Sequence, residues 1–315
     1  MIVGLALKRM ALALLTLLLV SLLIFGMLEI LPGDVASRIL GREATPESLV
    51  LLREQLNLNQ PGYVRYLEWL GNLLHGDLGV SLTSQRPVSE IIAPRIVNTV
   101  ILSVVAFAIS IPLTVIPAVI QAARRNRTAD HVLSIVTLLL LSIPDFLLAT
   151  LLLIAFVIYI PVLPAVSLID GSETLWGYVR ALILPATTLG IVMAVYGVRM
   201  LRGSLIEVLE SDYITMAELK GLSRRRVILR HALPNALIPT LNIMALNLGY
   251  LIGGVVVVER IFAFPGFGSL LIDSLQMRDL PVIEATILIS AAVYTAANLL
   301  SDLAAVFLNP RLRAL

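Results

Sequence analysis

The chain has 315 residues, of which 58% are hydrophobic and only 14% are charged, and its formal net charge is +2. Because a soluble globular domain carries about 25% charged residues, this composition predicts an all-α polytopic membrane protein and argues against a large basic surface for nucleic acid. The sequence contains no cysteine, which excludes disulfides, thiolate nucleophiles and cysteine-ligated metal ions.

Six apolar runs are long enough to cross a bilayer as helices. The first follows Lys8 and Arg9. It is too long for a signal peptide and no small-residue cleavage site precedes LPGD, so we predict an uncleaved first span. The third is long enough to be tilted or bent. The predicted spans lie near residues 10–31, 98–120, 131–160, 182–205, 234–258 and 282–308.

The short loops predict the orientation of these spans. With six spans, the N-terminus, the basic loops after spans two and four and the C-terminal tail lie on one side of the membrane, whereas the loop between spans three and four offers only Arg180. The positive-inside rule therefore places both termini in the cytoplasm. Besides the loop between spans four and five, the cations on that side are Lys8, Arg9, Arg124, Arg125, Arg127, Arg311 and Arg313.

Residues 32–97 form the one sizeable region predicted outside the spans on the opposite side. Thr45 followed by Pro46 predicts a helix start, and a second helix is predicted to start near Pro61. One face of this second helix, together with Trp69, suits the outer membrane surface or a small packed cap. That face holds Tyr63, Tyr66, Leu67, Leu70 and Leu74.

The predicted organisation of the chain therefore has four parts. They are residues 1–31 with the first span, an extracytoplasmic helical insert over 32–97, a five-helix membrane core over 98–308 with cytoplasmic helices at 212–232, and a cytoplasmic tail over 309–315.

Motifs for an enzyme are absent from the sequence. There is no phosphate-binding Gly-x-x-x-x-Gly-Lys-Ser/Thr loop, and the only lysines are Lys8 and Lys220. There is no His-Glu-x-x-His zinc motif and no Gly-x-Ser-x-Gly nucleophile elbow. We therefore predict that the chain is not an enzyme and binds no metal.

The densest run of basic residues lies between spans four and five, in SDYITMAELKGLSRRRVILRHALPNALIP, residues 211–239, called the basic segment below. Ser211 is a good N-cap residue for a helix over 212–220. Gly221 is well placed as a left-handed stop, with Leu222 packing back on Ala217.

The second half of the basic segment leads into the membrane. Ser223 is predicted to cap a short helix over 224–232, and Leu233-Pro234 then begins the fifth span with proline near its first turn. On the first helix, Tyr213, Met216 and Ala217 are candidates for one contact face. The alternative is a basic loop that serves only to set the topology.

The stretch AELKGLSRRRVILRHALPNALIP resembles the cytoplasmic loop motif of permease subunits of binding-protein-dependent ABC importers. That motif reads EAA, three residues, Gly, nine residues, Ile-x-Leu-Pro. Counting from Gly221 places Thr215-Met216-Ala217 at EAA and His231 at the Ile position. Ala217, Gly221, Leu233 and Pro234 match the general form, and the departures resemble the peptide/nickel branch.

Other stretches resemble the first permease subunit of this branch, the one with the larger extracytoplasmic insert. They include LLIFGMLEILPGD, LREQLNLNQPGYVRYLEWLGNLLHGDLGVSL, RPVSEIIAPRIVNTV, SIPDFLLATLLL and GGVVVVERIFAFPGFGSLLIDSLQMRDLPVIEATILI. The tail NPRLR has Asn309 where Asp is usual.

This resemblance implies a type I ABC importer permease fold in the bacterial cytoplasmic membrane. It implies a homologous second permease subunit as heterodimer partner, two ATPase subunits that hold ATP and Mg²⁺, and an extracytoplasmic solute-binding protein. The chain itself is expected to bind no cofactor. Residues 212–220 would form a coupling helix in a cleft of the ATPase. The expected ATPase-coupling residues are Tyr213, Thr215, Met216, Ala217, Glu218, Gly221, Arg225, Leu233 and Pro234.

Polar residues inside the spans are candidates for the translocation pathway. The preferred ones are Asn242 and Asn247, because the fifth span lines the pathway in this family. Interhelical hydrogen bonds or positions at the ends of spans are alternative explanations. The further pore candidates are Asp145, Arg199, Asn298 and Asp302.

A Pro-Gly turn follows span five. Glu259, Pro265 and Gly266 are candidates for an external gate or a contact with the binding protein, and a plain structural turn is the alternative.

Two other classes were weighed against an ATP-driven importer of peptides or a similar small solute. A secondary transporter would require buried carboxylates or broken helices at matched places in two halves. A membrane scaffold would not require a helix, glycine, helix pattern. The sequence leaves the substrate open among dipeptides, oligopeptides, glutathione, nickel chelates and sugars.

Overall fold

The computed structural model describes residues 2–30, 45–55, 59–167 and 174–308. Over residues 2–7, 52–53, 55, 241–254 and 300–308 the description covers the backbone only, and the predicted tail 309–315 lies outside it. Regular structure in the described residues is helical, apart from one isolated bridge between Val80 and Pro87.

The helices are labelled in chain order. They are α1 (Ile2–Ile30), α2 (Pro46–Gln55), α3 (Gly62–Leu74), α4 (Val88–Ala123), α5 (Thr128–Ser142), α6 (Asp145–Leu153), α7 (Leu175–Leu209), α8 (Asp212–Leu219), α9 (Arg224–Arg226), α10 (Leu233–Ile261), α11 (Phe267–Met277) and α12 (Leu280–Leu308). Two π-helical stretches follow α6 and α9, at Ile154–Tyr159 and Val227–Ala232.

Helices long and apolar enough to span a membrane are numerous within the described residues. Four helices qualify alone, with spans at Lys8–Ile30, Val88–Ala123, Leu175–Leu209 and Leu280–Leu299, and the bent pair α5–α6 makes a fifth if it counts as one span. The predicted span at 234–258 falls within α10, which has 29 residues.

The predicted third span, 131–160, is not one helix. Helices α5 and α6 meet at an angle of 106°. Ile143 has an extended backbone, with φ −82° and ψ 123°, because the proline that follows it disfavours the helical conformation. The break therefore lies at Ile143-Pro144, and Asp145 begins the second helix.

Two compact units divide the chain, one of residues 1–98 and 266–315 and the other of residues 99–265. In the second unit α7 is the most buried of the long spans, since 72% of its most apolar window is buried against 28% for α4. Two of its glycines permit close approach of α4. A Cβ added at Gly190 would lie 2.9 Å from Ile109, and one at Gly197 would lie 2.8 Å from Thr114.

Two hydrophobic clusters fill this second unit. The aromatic cluster comprises Leu102, Ala106, Ala149, Leu182, Leu184, Ala186, Leu189, Met193, Val255, Val258, Phe262 and Phe264. The alanine cluster comprises Ala118, Ala122, Val198, Leu201, Leu205, Ile214, Ala217, Val227, Ala232 and Ala236.

In the first unit, α3 packs against the end of α1. The Tyr66 hydroxyl lies 2.9 Å from Ser21 Oγ, and the Tyr66 ring lies edge-on to Phe25 at 5.4 Å. The predicted helix starts are confirmed: Thr45 Oγ1 accepts a hydrogen bond from the Ser48 N–H ahead of α2, and α3 follows Pro61.

Most of the face predicted for α3 is exposed. Tyr66 points toward α1, whereas Tyr63, Leu67 and Leu74 are exposed. The helical periodicity was right, but it could not show that α1 covers only one edge of that face.

Candidate functional site

Helix α8 ends as the sequence predicts. Gly221 has φ +78°, in the left-handed region, and its N–H donates to the Glu218 carbonyl at 2.9 Å. The Leu222 N–H reaches back to the Ala217 carbonyl at 3.4 Å, and the Leu222 side chain packs on the alanine cluster. This is the six-to-one closure of a helix C-terminus, so the predicted glycine stop is confirmed.

The predicted serine caps are wrong in their chemistry. Ser211 and Ser223 occupy the N-cap positions with extended backbones, but neither side chain accepts a capping hydrogen bond. The Ser211 hydroxyl instead donates to the Val208 carbonyl of the preceding helix. Contacts with the rest of the protein, rather than a side-chain cap, therefore stabilise the start of α8.

The helix predicted over 224–232 is present but only partly α-helical. Arg224–Arg226 forms one α-helical turn, Val227–Ala232 is π-helical, and the chain continues without a break into α10. Pro234 has no N–H to donate to a carbonyl one turn earlier, and π-helical adjustment is one way in which a helix accommodates the lost bond. The basic segment is thus directly continuous with the fifth predicted span.

Helix α8 has one buried and one exposed face. Ile214 and Ala217 are 1% and 9% exposed and belong to the alanine cluster. Ala217 therefore does not share a contact face with Tyr213 and Met216, because it points into the protein. The exposed side chains are Asp212, Tyr213, Thr215, Met216, Glu218 and Leu219.

A hydrogen-bonded link joins α8 to α10. Asn235 Nδ2 donates to the Tyr213 hydroxyl at 2.9 Å and to the His231 carbonyl at 3.0 Å. Asn235 lies in the first turn of α10. Sequence reasoning missed it, although a polar amide directly after Leu233-Pro234 was a signal for it.

The last residue of α4 and the loop that follows it contact the chain on both sides of α8. Arg125 forms an ion pair with Glu210, just before α8. Arg224, just after it, donates from Nη2 to the Ala123 carbonyl at 3.4 Å. Together with the alanine cluster, these contacts fix α8 to the membrane helices at its two ends and along its buried face.

An ion pair between a half-buried arginine and a buried aspartate joins α5 to α7. Arg202 of α7 donates from Nε and Nη2 to the two carboxylate oxygens of Asp130, both at 2.9 Å, and Asp130 is only 2% exposed. Asp130 also accepts a hydrogen bond from the Asn126 N–H at 3.0 Å. Bidentate pairing of this kind holds α5 and α7 in one relative orientation.

The other predicted coupling residues occupy the path into the membrane. Arg225 is exposed, Leu233 packs on the alanine cluster, and Pro234 is exposed at the start of α10. Leu233 and Pro234 thus lie where the π-helical stretch passes into α10.

The pore candidates are not gathered into one site by the described side chains. Asp145 is half-buried at the start of α6, and Arg199 is exposed on α7. Asn298 lines a cleft in the other compact unit. The side chains of Asn242, Asn247 and Asp302 lie outside the described residues, so their pore role stays a prediction.

The gate candidates are buried or half-buried rather than exposed. Glu259 is fully buried and accepts a hydrogen bond from Thr99 Oγ1 at 2.6 Å. Pro265 is half-buried, and Gly266 is the buried N-cap of α11, with its N–H donating to Ser269 Oγ at 3.1 Å. In this conformation the arrangement matches the alternative of a structural turn, because Glu259 faces the core.

Metal chemistry has no visible site in the described part of the chain. No group of three or more His, Cys, Asp or Glu side chains lies close enough there to hold an ion.

Two family models match almost the whole chain. Residues 110–314 match the binding-protein-dependent transport system inner membrane component, and residues 2–103 match the N-terminal part of such membrane components. The chain therefore belongs to the family of inner-membrane components of binding-protein-dependent transport systems. It is a transmembrane permease subunit of the ABC importer class and not the catalytic subunit, and the predicted all-helical polytopic permease fold is confirmed.

The chain is similar over nearly its full length to permeases with named substrates. A Brucella melitensis protein named as a peptide transport system permease is 39% identical over 313 residues, which cover 99% of both chains. A Brucella abortus counterpart is 39% identical over 310 residues, covering 98% of this chain and 99% of that one. The Escherichia coli glutathione transport system permease is 38% identical over 298 residues, or 95% of both.

Proposed function

We propose that this chain is the pore-forming subunit of an importer of dipeptides, oligopeptides or a similar small solute such as glutathione. The names of its relatives support this substrate class. The chain pairs with a homologous second permease subunit. Two ATPase subunits bind ATP and Mg²⁺, and an extracytoplasmic solute-binding protein delivers the substrate.

One observation carries the coupling role of α8: an exposed face lies on a helix that is rigidly fixed to the membrane core. Tyr213 and Met216 are half-exposed, and Leu219 is 77% exposed. An apolar face of this kind is suited to a partner cleft. We assign the ATPase as its partner, which places α8, both termini and the tail 309–315 in the cytoplasm, and the insert 32–97 outside.

Rigid attachment matters because of the energy that the partner must transmit. Moving a two-state pore from 1:99 to 99:1 requires about 5.5 kcal/mol of differential stabilisation. A flexible loop would change its own conformation instead, and less of that free energy would reach the membrane helices. Helix α8 instead moves together with α10 through the Tyr213–Asn235 link and with α4 and α7 through the alanine cluster.

Gly221→Val tests the coupling role. A Cβ at Gly221 would meet nothing within 4 Å, so the cost is conformational, about 1–2 kcal/mol for a side chain in the left-handed region. We expect ATP hydrolysis to continue in reconstituted vesicles while substrate uptake falls. Gly203→Ala is the matched control, because Gly203 is equally open but lies within α7. Unchanged uptake per ATP in Gly221→Val would contradict the proposal.

The orientation can be tested cleanly because the chain has no cysteine. Single cysteines at Leu219 and Tyr63, both highly exposed, report on opposite sides. A membrane-impermeant maleimide added to spheroplasts should label Tyr63→Cys and not Leu219→Cys, with the reverse pattern in inverted vesicles. Labelling of both from the same side would refute the topology.

The substrate class is tested by uptake in the assembled transporter. Labelled dipeptide uptake should be competed by unlabelled peptides or by glutathione and not by a neutral sugar. Competition by sugar alone would overturn the peptide assignment while leaving the coupling role intact.

A further inference from the structure

An open cleft of about 450 Å³ lies between α1 and α12. Its polar lining comes from one face of each helix. On α1 the spacing from Lys8 and Arg9 to Thr16 is two helical turns, and on α12 Tyr294, Thr295 and Asn298 are one turn apart. Nothing in the proposed coupling role uses these side chains.

The depth of the cleft in the bilayer follows from its charged residues. Lys8 and Arg9 come just before the long apolar run of α1 and lie in the cleft lining. Because cationic side chains near the end of a span reach the membrane interface, this part of the cleft opens at the level of the headgroups. A molecule held there has its polar end at the membrane surface.

Exposed apolar side chains continue from the cleft along α1 toward the bilayer centre. Leu14, Leu15 and Leu18 are each about half exposed or more, and only 11% of the α1 window is buried within the chain. The cleft therefore joins a cationic, hydroxyl-rich end to an apolar surface. A phospholipid is divided in the same way, into a charged, polar headgroup and apolar acyl chains.

We propose that the α1–α12 cleft binds the headgroup of an anionic phospholipid. The Lys8 ammonium attracts the phosphate, while the hydroxyls of Tyr294 and Thr295 and the Asn298 amide donate to the glycerol and phosphate oxygens. The acyl chains lie along the exposed leucines of α1. This site depends on membrane insertion of the chain and not on the coupling role of α8.

Charge complementarity favours a lipid over a segment of the same chain. The C-terminal tail, residues 309–315, carries Arg311 and Arg313, which have the same sign as the cations in the cleft. An anionic lipid supplies the opposite charge and is present at high concentration at that depth.

The experiment is native mass spectrometry of the full chain, purified with its accompanying subunits from nanodiscs of equal phosphatidylglycerol and phosphatidylethanolamine. We expect the wild-type chain to retain phosphatidylglycerol preferentially. Lys8→Gln should reduce that retention about fivefold, the effect of one cation near a membrane surface. Arg127→Gln, which removes an exposed cation from the α4–α5 loop, is the matched control and should retain the lipid.

A second variant keeps the test valid if Lys8→Gln disturbs insertion. Thr295→Val leaves every charge in place and should reduce retention about threefold through one lost hydrogen bond. Equal retention of the two lipids, or undiminished phosphatidylglycerol in both variants, would overturn the proposal. So would protection against thermal unfolding by inorganic phosphate equal to that by phosphatidylglycerol, which would indicate a free-anion site. A photocrosslinker at Leu12 that captured the tail or another subunit would overturn it as well.

Discussion

The two hydrophobic clusters of the central unit are built from side chains of different size. The aromatic cluster contains Phe262 and Phe264, both almost fully buried, with Glu259 closed against Thr99 nearby. The alanine cluster contains five alanines and no aromatic residue. Large side chains fill space between helices, whereas alanines let backbones approach closely. The alanine cluster is thus suited to holding a short surface helix tightly, and the aromatic cluster to closing an interior.

The difference assigns separate roles to the two clusters. Among the described residues, α8 contributes side chains to the alanine cluster, through Ile214 and Ala217, and none to the aromatic cluster. Mutations in the aromatic cluster should therefore affect folding, and mutations in the alanine cluster should affect transport.

The largest expected effect is at the aromatic cluster. Phe262→Ala should lower stability by about 3–5 kcal/mol, because it removes a fully buried ring and leaves a cavity. The thermal unfolding midpoint in detergent measures this loss, with exposed Tyr196→Ala as the control. Protein that remains folded should transport with a normal ratio of solute to ATP. A changed ratio would show that the two clusters are not functionally separate.

A comparable loss is expected at the Asp130–Arg202 pair. Arg202→Met leaves a buried carboxylate without its partner, which costs about 3–5 kcal/mol. The double variant Asp130→Asn with Arg202→Met should recover much of that stability, because no uncompensated charge remains. If the single and double variants unfold at the same temperature, the pair contributes nothing as a unit.

A smaller effect on stability but a larger one on transport is expected at Ala232. This residue is fully buried in the alanine cluster. Ala232→Leu overpacks the cluster at a cost of about 1–3 kcal/mol and displaces α8. Uptake per ATP should fall. Ala186→Leu, at a fully buried alanine of the aromatic cluster, is the control and should lower stability by a similar amount without lowering uptake per ATP. An equal fall in uptake per ATP in both variants would show that the two clusters do not have separate roles.

The smallest expected effect is at the link between α8 and α10. Tyr213→Phe removes the acceptor for Asn235 and should cost about 0.5–1.5 kcal/mol. We expect a modest fall in the transport rate at saturating ATP. Tyr196→Phe, an exposed tyrosine on α7, is the control. A rate unchanged by Tyr213→Phe would leave the alanine cluster as the sole attachment that matters.

The sequence predicted those features that depend on neighbouring residues. Gly221 was identified as the stop of α8 because a left-handed position favours glycine, and the starts of α2 and α3 followed from proline and threonine. The membrane helices were predicted because an apolar run of about 20 residues has the length of a helix that crosses a bilayer.

The missed features depend on contacts that are distant in sequence. Asp130 and Arg202 are 72 residues apart, and no local pattern pairs them. The inward direction of Ala217 depends on where α4 and α10 lie. The length of the third apolar run indicated a tilt or a bend, but the 106° angle depends on how α6 packs on α7 and α10.

The π-helical stretch Val227–Ala232 has a consequence for the whole of α10. A π turn takes up an extra residue compared with an α turn, and each residue advances an α-helix by about 100° around its axis. The azimuth at which α10 presents its side chains is therefore fixed by the length of this stretch and not only by its composition. Deleting a single residue there would turn every side chain of the following 29-residue helix to a different neighbour, even if each one kept its identity.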